Sequence, residues 1–152
     1  MSDAISKKQV AAWQQMLMAQ SRIVRLIEQQ FQMQKLVPFT HYDILLQLRY
    51  APERQMRFRE ITGEIVLSKS ALSRCIDRMA SAGLVEKLDC PHDPRGLVVR
   101  LTSEGENELK KAWPVYRKQI ECLFGTHFSE RELDFLAKRF AKISRQPRSE
   151  LK

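Results

Sequence analysis

The chain has 152 residues, of which 43% are hydrophobic and 29% are charged, and its formal net charge is +8. This length suits one domain with its own core, and the apolar content excludes a disordered chain. No stretch is apolar over the ~18 residues that a membrane span needs, and residues 1–10 lack the apolar centre of a signal peptide. The sequence therefore predicts a cytoplasmic protein.

The positive charge predicts a polyanionic partner, with nucleic acid ahead of an anionic membrane surface. Lysine and arginine are spread along the chain, so charge alone locates no binding face. The three cysteines, Cys75, Cys90 and Cys122, form no Cys-x-x-Cys motif, and the three histidines are scattered. The pattern predicts free thiols, no disulfide framework, no metal site and no cofactor.

A long amphipathic helix is the first predicted element. Large residues alternate at spacings of four and three, at Trp13, Leu17, Gln20, Val24, Ile27 and Phe31. A second apolar face is added by Met16, Ile23 and Leu26. One small core does not cover two such faces, so the sequence predicts a partner chain at this helix.

Two shorter helices are predicted next. Thr40, with Asp43 three residues later, predicts the start of a helix that runs over Tyr42–Tyr50. A third helix is predicted over Arg59–Val66, where Gly63 weakens the helix by about 1 kcal/mol relative to alanine.

A fourth helix is predicted over Lys69–Ala82. Ser68 is a good N-cap for it, and Gly83 suits the left-handed residue that ends a helix. One face is apolar, and the other carries short polar and charged side chains at Ser70, Ser73, Arg74 and Asp77. A helix that binds nucleic acid and an ordinary solvated helix can both have this pattern. The neighbouring elements in the chain decide between these two interpretations.

A β-hairpin follows the fourth helix. Leu84–Leu88 and Leu97–Leu101 are predicted strands, and the eight residues between them are rich in Pro, Asp and Gly. Arg95 is predicted at the tip, where Asp93 could hold it or a neighbouring arginine by a charge-assisted hydrogen bond. A surface turn with an incidental Asp/Arg pair is the alternative.

Two more helices complete the chain. Ser103 with Glu106 predicts a capping box at the start of a long helix, in which Pro114 is expected to produce a kink. Ser129 with Glu132 predicts the start of the last helix.

This order predicts a mainly α (α+β) fold, a winged helix-turn-helix with a two-stranded β wing between terminal helices. In such proteins the second helix of the pair enters the major groove of DNA. Its predicted contact residues are Lys69, Ser70, Ser73, Arg74 and Arg78. A guanidinium on a narrow hairpin suits the minor groove, which assigns Arg95, supported by Asp93, to the wing.

Two segments resemble regulators of the MarR family (multiple-antibiotic-resistance repressor type). One is Ala-Leu-Ser-Arg-Cys-Ile-Asp-Arg-Met at 71–79 followed by Gly-Leu-Val-Glu-Lys at 83–87. The other is the wing pattern Asp-x-Arg and then Leu-Thr-x-x-Gly, matched at Asp93, Arg95, Leu101, Thr102 and Gly105. In helix order the resemblance extends over roughly residues 7–143. Gly63 and Cys75 depart from the family, because a bracing helix and a recognition-helix core usually carry bulkier residues there.

The resemblance implies a bacterial or archaeal homodimeric repressor that binds double-stranded DNA at a pseudo-palindromic operator. Residues 1–152 would form a single MarR-like domain, with dimerisation helices at 7–36 and 106–146 and a DNA-binding lobe at 40–104. The recognition-helix role carries over to Ser68, Lys69, Ser70, Ser73 and Arg74, and the wing role to Arg95.

The resemblance also implies that a small effector, often aromatic, relieves repression. The predicted walls of its pocket are Trp13, Met16, Leu17, Gln20, Phe39, His41, Tyr42 and Trp113, although these residue types at helical spacing also suit a plain core. A protein-interaction module and a thiol-responsive regulator are the alternative functions. The sequence has no nucleophile–base motif and no phosphate-binding glycine loop, so it predicts no enzyme.

Overall fold

A computed structural model describes residues 5–65, 67–90 and 92–144. Within them lie six α-helices, three strands and two short 3₁₀ turns, in the order α1 Lys7–Met33, α2 Phe39–Tyr50, a 3₁₀ turn Pro52–Arg54, β1 Gln55–Arg57, α3 Phe58–Glu64, α4 Lys69–Ser81, β2 Val85–Cys90, β3 Asp93–Leu101, α5 Ser103–Leu123, a 3₁₀ turn Gly125–His127 and α6 Glu130–Ser144. No helix in the described ranges is both long and apolar enough to cross a membrane.

The chain divides into two compact units, Met1–Val115 and Tyr116–Lys152. The division falls within α5, just after Pro114, whose missing N–H removes one hydrogen bond of the helix. In the first unit, the largest fully buried side chains come from α1 to α5 and the sheet: Phe31, Tyr42, Ile44, Leu45, Leu48, Ile61, Leu72, Ile76, Met79, Val99 and Leu109. In the second unit, the rings of Phe124 and Phe128 lie 5.0 Å apart.

The mainly helical winged helix-turn-helix fold is confirmed, with one strand that the sequence did not predict. β1 pairs with β3 from Gln55–Arg100 to Arg57–Val98, which gives an antiparallel sheet of order β1-β3-β2. Three residues are too few to show the period of a strand. Residues 55–57 form a strand because they pair with residues of β3 more than forty positions later in the chain.

The wing hairpin is longer than predicted. β2 continues to Cys90 and β3 begins at Asp93, and these two residues pair, whereas the neighbouring Asp89 pairs with Leu97. The shift in register places residues 94–96 in an irregular part of β3. Bulges of this kind accommodate Pro and Gly within a strand, so the predicted turn over 89–96 is mostly strand.

The predicted start and end of the fourth helix are confirmed. The Ser68 hydroxyl accepts a hydrogen bond from the Ala71 N–H at 3.2 Å, which caps α4. Gly83 follows the helix with φ +74°, in the left-handed region that favours glycine.

The cap of the last helix is also confirmed. The Ser129 N–H and hydroxyl both donate to Glu132 at 2.8 Å, and the Glu132 N–H donates to the Ser129 hydroxyl. These hydrogen bonds to the charged form lower the pKa of Glu132.

Two predicted helix starts are wrong. Thr40 does not cap α2, because that helix begins one residue earlier and Pro38 occupies its N-cap position. Ser103 does not cap α5 either. Instead the Thr102 hydroxyl accepts from the Gly105 N–H at 3.0 Å and donates to the Gly83 carbonyl at 2.7 Å. The hydroxyl of Thr102 therefore joins the start of α5 to the end of α4.

Replacing Gly63 with alanine is expected to stabilise the protein. Gly63 lies in α3, and outside its chain neighbours and its own helix backbone an added Cβ would meet no heavy atom of the described residues within 4 Å. Alanine loses less backbone entropy on folding, so the free energy of unfolding should rise by about 0.5–1 kcal/mol. Urea denaturation measures this change.

Gly83→Ala is the matched control for Gly63→Ala. At φ +74° alanine is strained, so this variant should be less stable than the wild type. A loss of stability in Gly63→Ala would contradict the assignment of Gly63 to an open helical position.

Candidate nucleic-acid interface

The exposed face of α4 carries most of the predicted recognition residues. Ser68, Lys69, Ser70, Ser73 and Arg74 are exposed, whereas the opposite face is buried through Leu72, Cys75, Ile76 and Met79. The Ser68 and Ser70 hydroxyls lie 3.3 Å apart. Short hydroxyl side chains beside cations let a helix approach base edges and phosphates closely.

A groove of about 870 Å³ runs beside this face, between α3, the start of α4 and the wing. Five predicted residues line it: Ser68, Lys69, Ser70, Ser73 and Asp93. Arg74 and Arg78, farther along α4, are not part of its lining. The structure thus brings the start of the recognition helix and the wing together at one concave surface.

Two further cations line the groove, and neither was among the contact residues predicted from the sequence. Arg57 lies at the end of β1, and Arg59 lies in the first turn of α3; both are exposed. The Arg57 N–H donates to the Glu60 carboxylate at 2.8 Å, which caps α3 next to the groove. The signal in the sequence was the close spacing of Arg54, Arg57 and Arg59 at the start of a predicted helix.

The wing contributes Asp93, which is half-buried at the groove. The backbone of Arg95 lies in the irregular part of β3, but its side chain lies outside the described residues. Its predicted contact with DNA and its pairing with Asp93 therefore stay predictions.

Arg78 lies near α2 as well as on the recognition helix. Burial lowers the pKa of His41, and the positive charge of Arg78 lowers it further. Burial raises the pKa of the Cys75 thiol, and Arg78 acts in the opposite direction. One turn of α4 is also tied to the wing, because Asp77 and Lys87 form an ion pair at 2.7 Å.

The predicted effector residues lie in different environments of the first unit. Tyr42 is buried, and its ring lies 5.4 Å from Phe31 and 6.2 Å from Phe39. Met16, Phe39 and His41 are half-buried, and the exposed members are Trp13, Leu17, Gln20 and Trp113. Leu17 lines an open groove of about 680 Å³ along α1, beside Arg22 and Arg25. The structure gathers Phe39 and Tyr42 into one aromatic cluster, and the pocket stays a prediction.

The cysteines differ in exposure. Cys75 and Cys90 are buried, whereas Cys122 is exposed. The raised pKa of Cys75 disfavours the reactive thiolate there. In the part of the chain that the structure describes, no three His, Cys, Asp or Glu residues are grouped to hold a metal ion.

Residues 37–96, which include α2, the recognition helix and the start of the wing, match the family model of the MarR family. Over this part of the chain the protein is similar to the MarR family. No curated protein sequence matches the chain.

Solved structures of MarR-family regulators share the fold over nearly the whole chain. Sco3205 from Streptomyces coelicolor, solved in complex with DNA, is 22% identical, with a TM-score of 0.83 over 98% of this chain and 94% of that one. AbsC from the same organism is 26% identical, with a TM-score of 0.79 over 94% and 96%. BpsR from Bordetella bronchiseptica is 17% identical, with a TM-score of 0.73 over 97% and 99%. These similar proteins are regulators rather than enzymes.

Proposed function

We propose that the protein is a sequence-specific DNA-binding transcriptional regulator that acts as a homodimeric repressor. The observation that carries this proposal is the shared concave surface of α3, α4 and the wing, lined by Arg57, Arg59 and Lys69 and by three serines. Cations bind phosphates, and hydroxyl groups and arginine read base edges. The MarR-family match and the DNA complex of Sco3205 support the same function.

Each lobe would bind one half-site of a pseudo-palindromic operator. α4 would enter the major groove with Ser70, Ser73 and Arg74 towards the bases, while Lys69, Arg57 and Arg59 contact phosphates. Arg95 on the wing would reach the minor groove. Two recognition helices of a dimer then occupy half-sites about one turn of DNA apart. DNA in a bacterial cell lies in the cytoplasm, which is the location that this function requires.

A homodimer explains the apolar side chains that each unit leaves exposed. Trp13, Leu17 and Val24 are exposed on α1, and Phe140 and Ile143 are exposed on α6. Apolar side chains grouped along helices at this exposure are typical of an interface. We assign dimerisation to the helices within 7–36 and 106–146, and DNA binding to residues 40–104.

A small effector would relieve repression. Support comes from BpsR, whose DNA binding is regulated by 6-hydroxynicotinic acid. The site proposed here is the predicted pocket of α1, α2 and α5, which includes Trp13, His41 and Trp113. An effector must bind the DNA-free arrangement of the lobes more tightly, because a ligand shifts only states that it binds differently.

Selection of bound duplexes from a random pool tests the DNA-binding function. An inverted repeat with half-sites one turn apart is expected, with affinity that falls steeply as salt rises. Arg74→Ala should weaken binding to that repeat by about 1–3 kcal/mol and relax the base preference at one position.

Arg131→Ala is the matched control for Arg74→Ala, because Arg131 is an exposed arginine on α6. It should bind the repeat like the wild type. A folded dimer that selects no sequence would contradict the proposal and favour the protein-interaction alternative.

A further inference from the structure

A buried carboxylate joins α5 to the segment that leads into the DNA-binding groove. Glu106 lies in the first turn of α5 and is 8% exposed. Its Oε1 lies 3.6 Å from Nε of Arg49, and its Oε2 lies 3.7 Å from a terminal nitrogen of Arg54. Oε2 is buried and has no hydrogen-bond partner among the described residues.

Such a carboxylate is a poor source of stability. Removing a charged group from water costs several kcal/mol, and pairs without short hydrogen bonds offset little of that cost. An apolar residue of similar size is often equally stable or more stable at such a position. A positional role of Glu106 would therefore depend on the segments that carry Arg49 and Arg54.

Arg54 belongs to a strained turn. Glu53 and Arg54 have φ of +53° and +55°, so two consecutive residues with side chains are in the left-handed region. Each costs on the order of 1 kcal/mol and persists where surrounding contacts hold it. Within the turn, the Arg54 N–H donates to the Ala51 carbonyl at 3.0 Å and the Gln55 N–H donates to the Pro52 carbonyl, whereas the side-chain contact shown for Arg54 is the ion pair with Glu106.

The strained turn leads directly into the groove. β1 begins at the next residue, pairs with β3 of the wing, and ends at Arg57, which lines the groove. α3 begins immediately afterwards. A different conformation at Arg54 would therefore change the direction of β1 and the position of Arg57 at the groove.

From these contacts we infer that Glu106 is a positioning residue for DNA binding. It holds Arg54 in the strained turn, and through β1 it places the Arg57 guanidinium for a phosphate contact. This inference rests on the proposed function. Glu106 does not line the groove, so the start of α5 would influence the geometry of the DNA-binding surface without touching it.

The sign of one substitution separates this role from simple electrostatics. Glu106→Gln removes a negative charge, so the charge change alone would strengthen DNA binding. The positioning role predicts the opposite: affinity about tenfold lower, equally for specific and random duplexes, and a salt dependence less steep by about one phosphate contact. Amide exchange at residues 55–57 should become faster, while the melting temperature stays near that of the wild type.

Glu104→Gln is the matched control, because Glu104 is exposed in the same helical turn and undergoes the same change of charge. It should bind DNA at least as tightly as the wild type. Glu106→Met serves as the second variant if the buried amide prevents folding, since methionine keeps the length of the side chain and suits a helix.

The double variant Arg57→Ala/Glu106→Gln tests the route. If Glu106 acts through Arg57, the double variant binds DNA no more weakly than Arg57→Ala alone. Fully additive losses, or a Glu106→Gln variant that binds as tightly as Glu104→Gln, would overturn the inference. If the wild-type dimer selected no duplex, the proposed function would fail and the inference with it. If Arg74→Ala bound the selected duplex more weakly than the wild type but Glu106→Gln bound it like Glu104→Gln, only the inference would be refuted.

Discussion

Gly105→Ala should destabilise the protein by about 3 kcal/mol, near the upper end of the usual cost of overpacking. A Cβ at this position would overlap the carbonyl oxygen of Leu84 and lie 2.7 Å from Cδ1 of Leu101 and 3.0 Å from Cδ2 of Leu45. The first of these atoms belongs to the backbone, which cannot move aside without disturbing the start of the wing. Because alanine in a helix is more favourable than glycine by about 1 kcal/mol, the substitution without the clash would stabilise the protein. The expected loss of stability therefore comes from the clash.

Urea denaturation of Gly105→Ala measures this effect, and Gly125→Ala is the matched control. Apart from its two chain neighbours, the nearest described atom to a Cβ at Gly125 would be the Ile120 carbonyl oxygen at 3.7 Å, which is an ordinary contact. The control should therefore stay within about 0.5 kcal/mol of the wild type, as is usual for surface changes. A Gly105→Ala variant as stable as Gly125→Ala would contradict the close approach of α5 to Leu84.

Phe140→Glu is expected to give a monomer that loses tight operator binding. Phe140 is 41% exposed on α6, beside Ile143, so a carboxylate there would be desolvated in the proposed interface without a partner. Two linked lobes bind a palindrome about 10²–10⁴ times more tightly than one lobe alone. Sedimentation velocity and titration with the selected duplex measure the two effects.

The control for Phe140→Glu is Arg131→Glu, which places the same side chain at an exposed position in the first turn of α6. An acidic residue is favourable near a helix N-terminus, so this variant should remain a dimer. If Phe140→Glu dimerised and bound the operator like the control, α6 would not belong to the interface.

Local interactions account for the parts of the fold that the sequence predicts well. The caps at Ser68 and at Ser129 with Glu132 depend on hydrogen bonds across three residues, and the left-handed Gly83 depends on its own lack of a Cβ. The period of apolar residues likewise identified the exposed face of α4. These signals are contained in short windows of the chain, so they need no knowledge of the rest.

The candidate interface was predicted in part for the same reason. Ser70, Ser73 and Arg74 follow from the face of one helix. Arg57 and Arg59 did not follow, because the sequence places Arg57 before the third predicted helix and Arg59 at its start. Their position beside α4 depends on the pairing of β1 with the wing.

Contacts between distant residues account for the remainder. Thr102 rather than Ser103 caps α5, since its hydroxyl also reaches the Gly83 carbonyl. Glu106, predicted to complete a local capping box, is instead buried against Arg49 and Arg54 from an earlier part of the chain. The sequence alone thus establishes the helices, their order and the exposed face of α4, because hydrogen bonds and side-chain periods act over a few residues. Packing between segments tens of residues apart establishes β1, the start of α5 and the cations of the groove, because these depend on which distant backbone and charged groups the fold brings into contact.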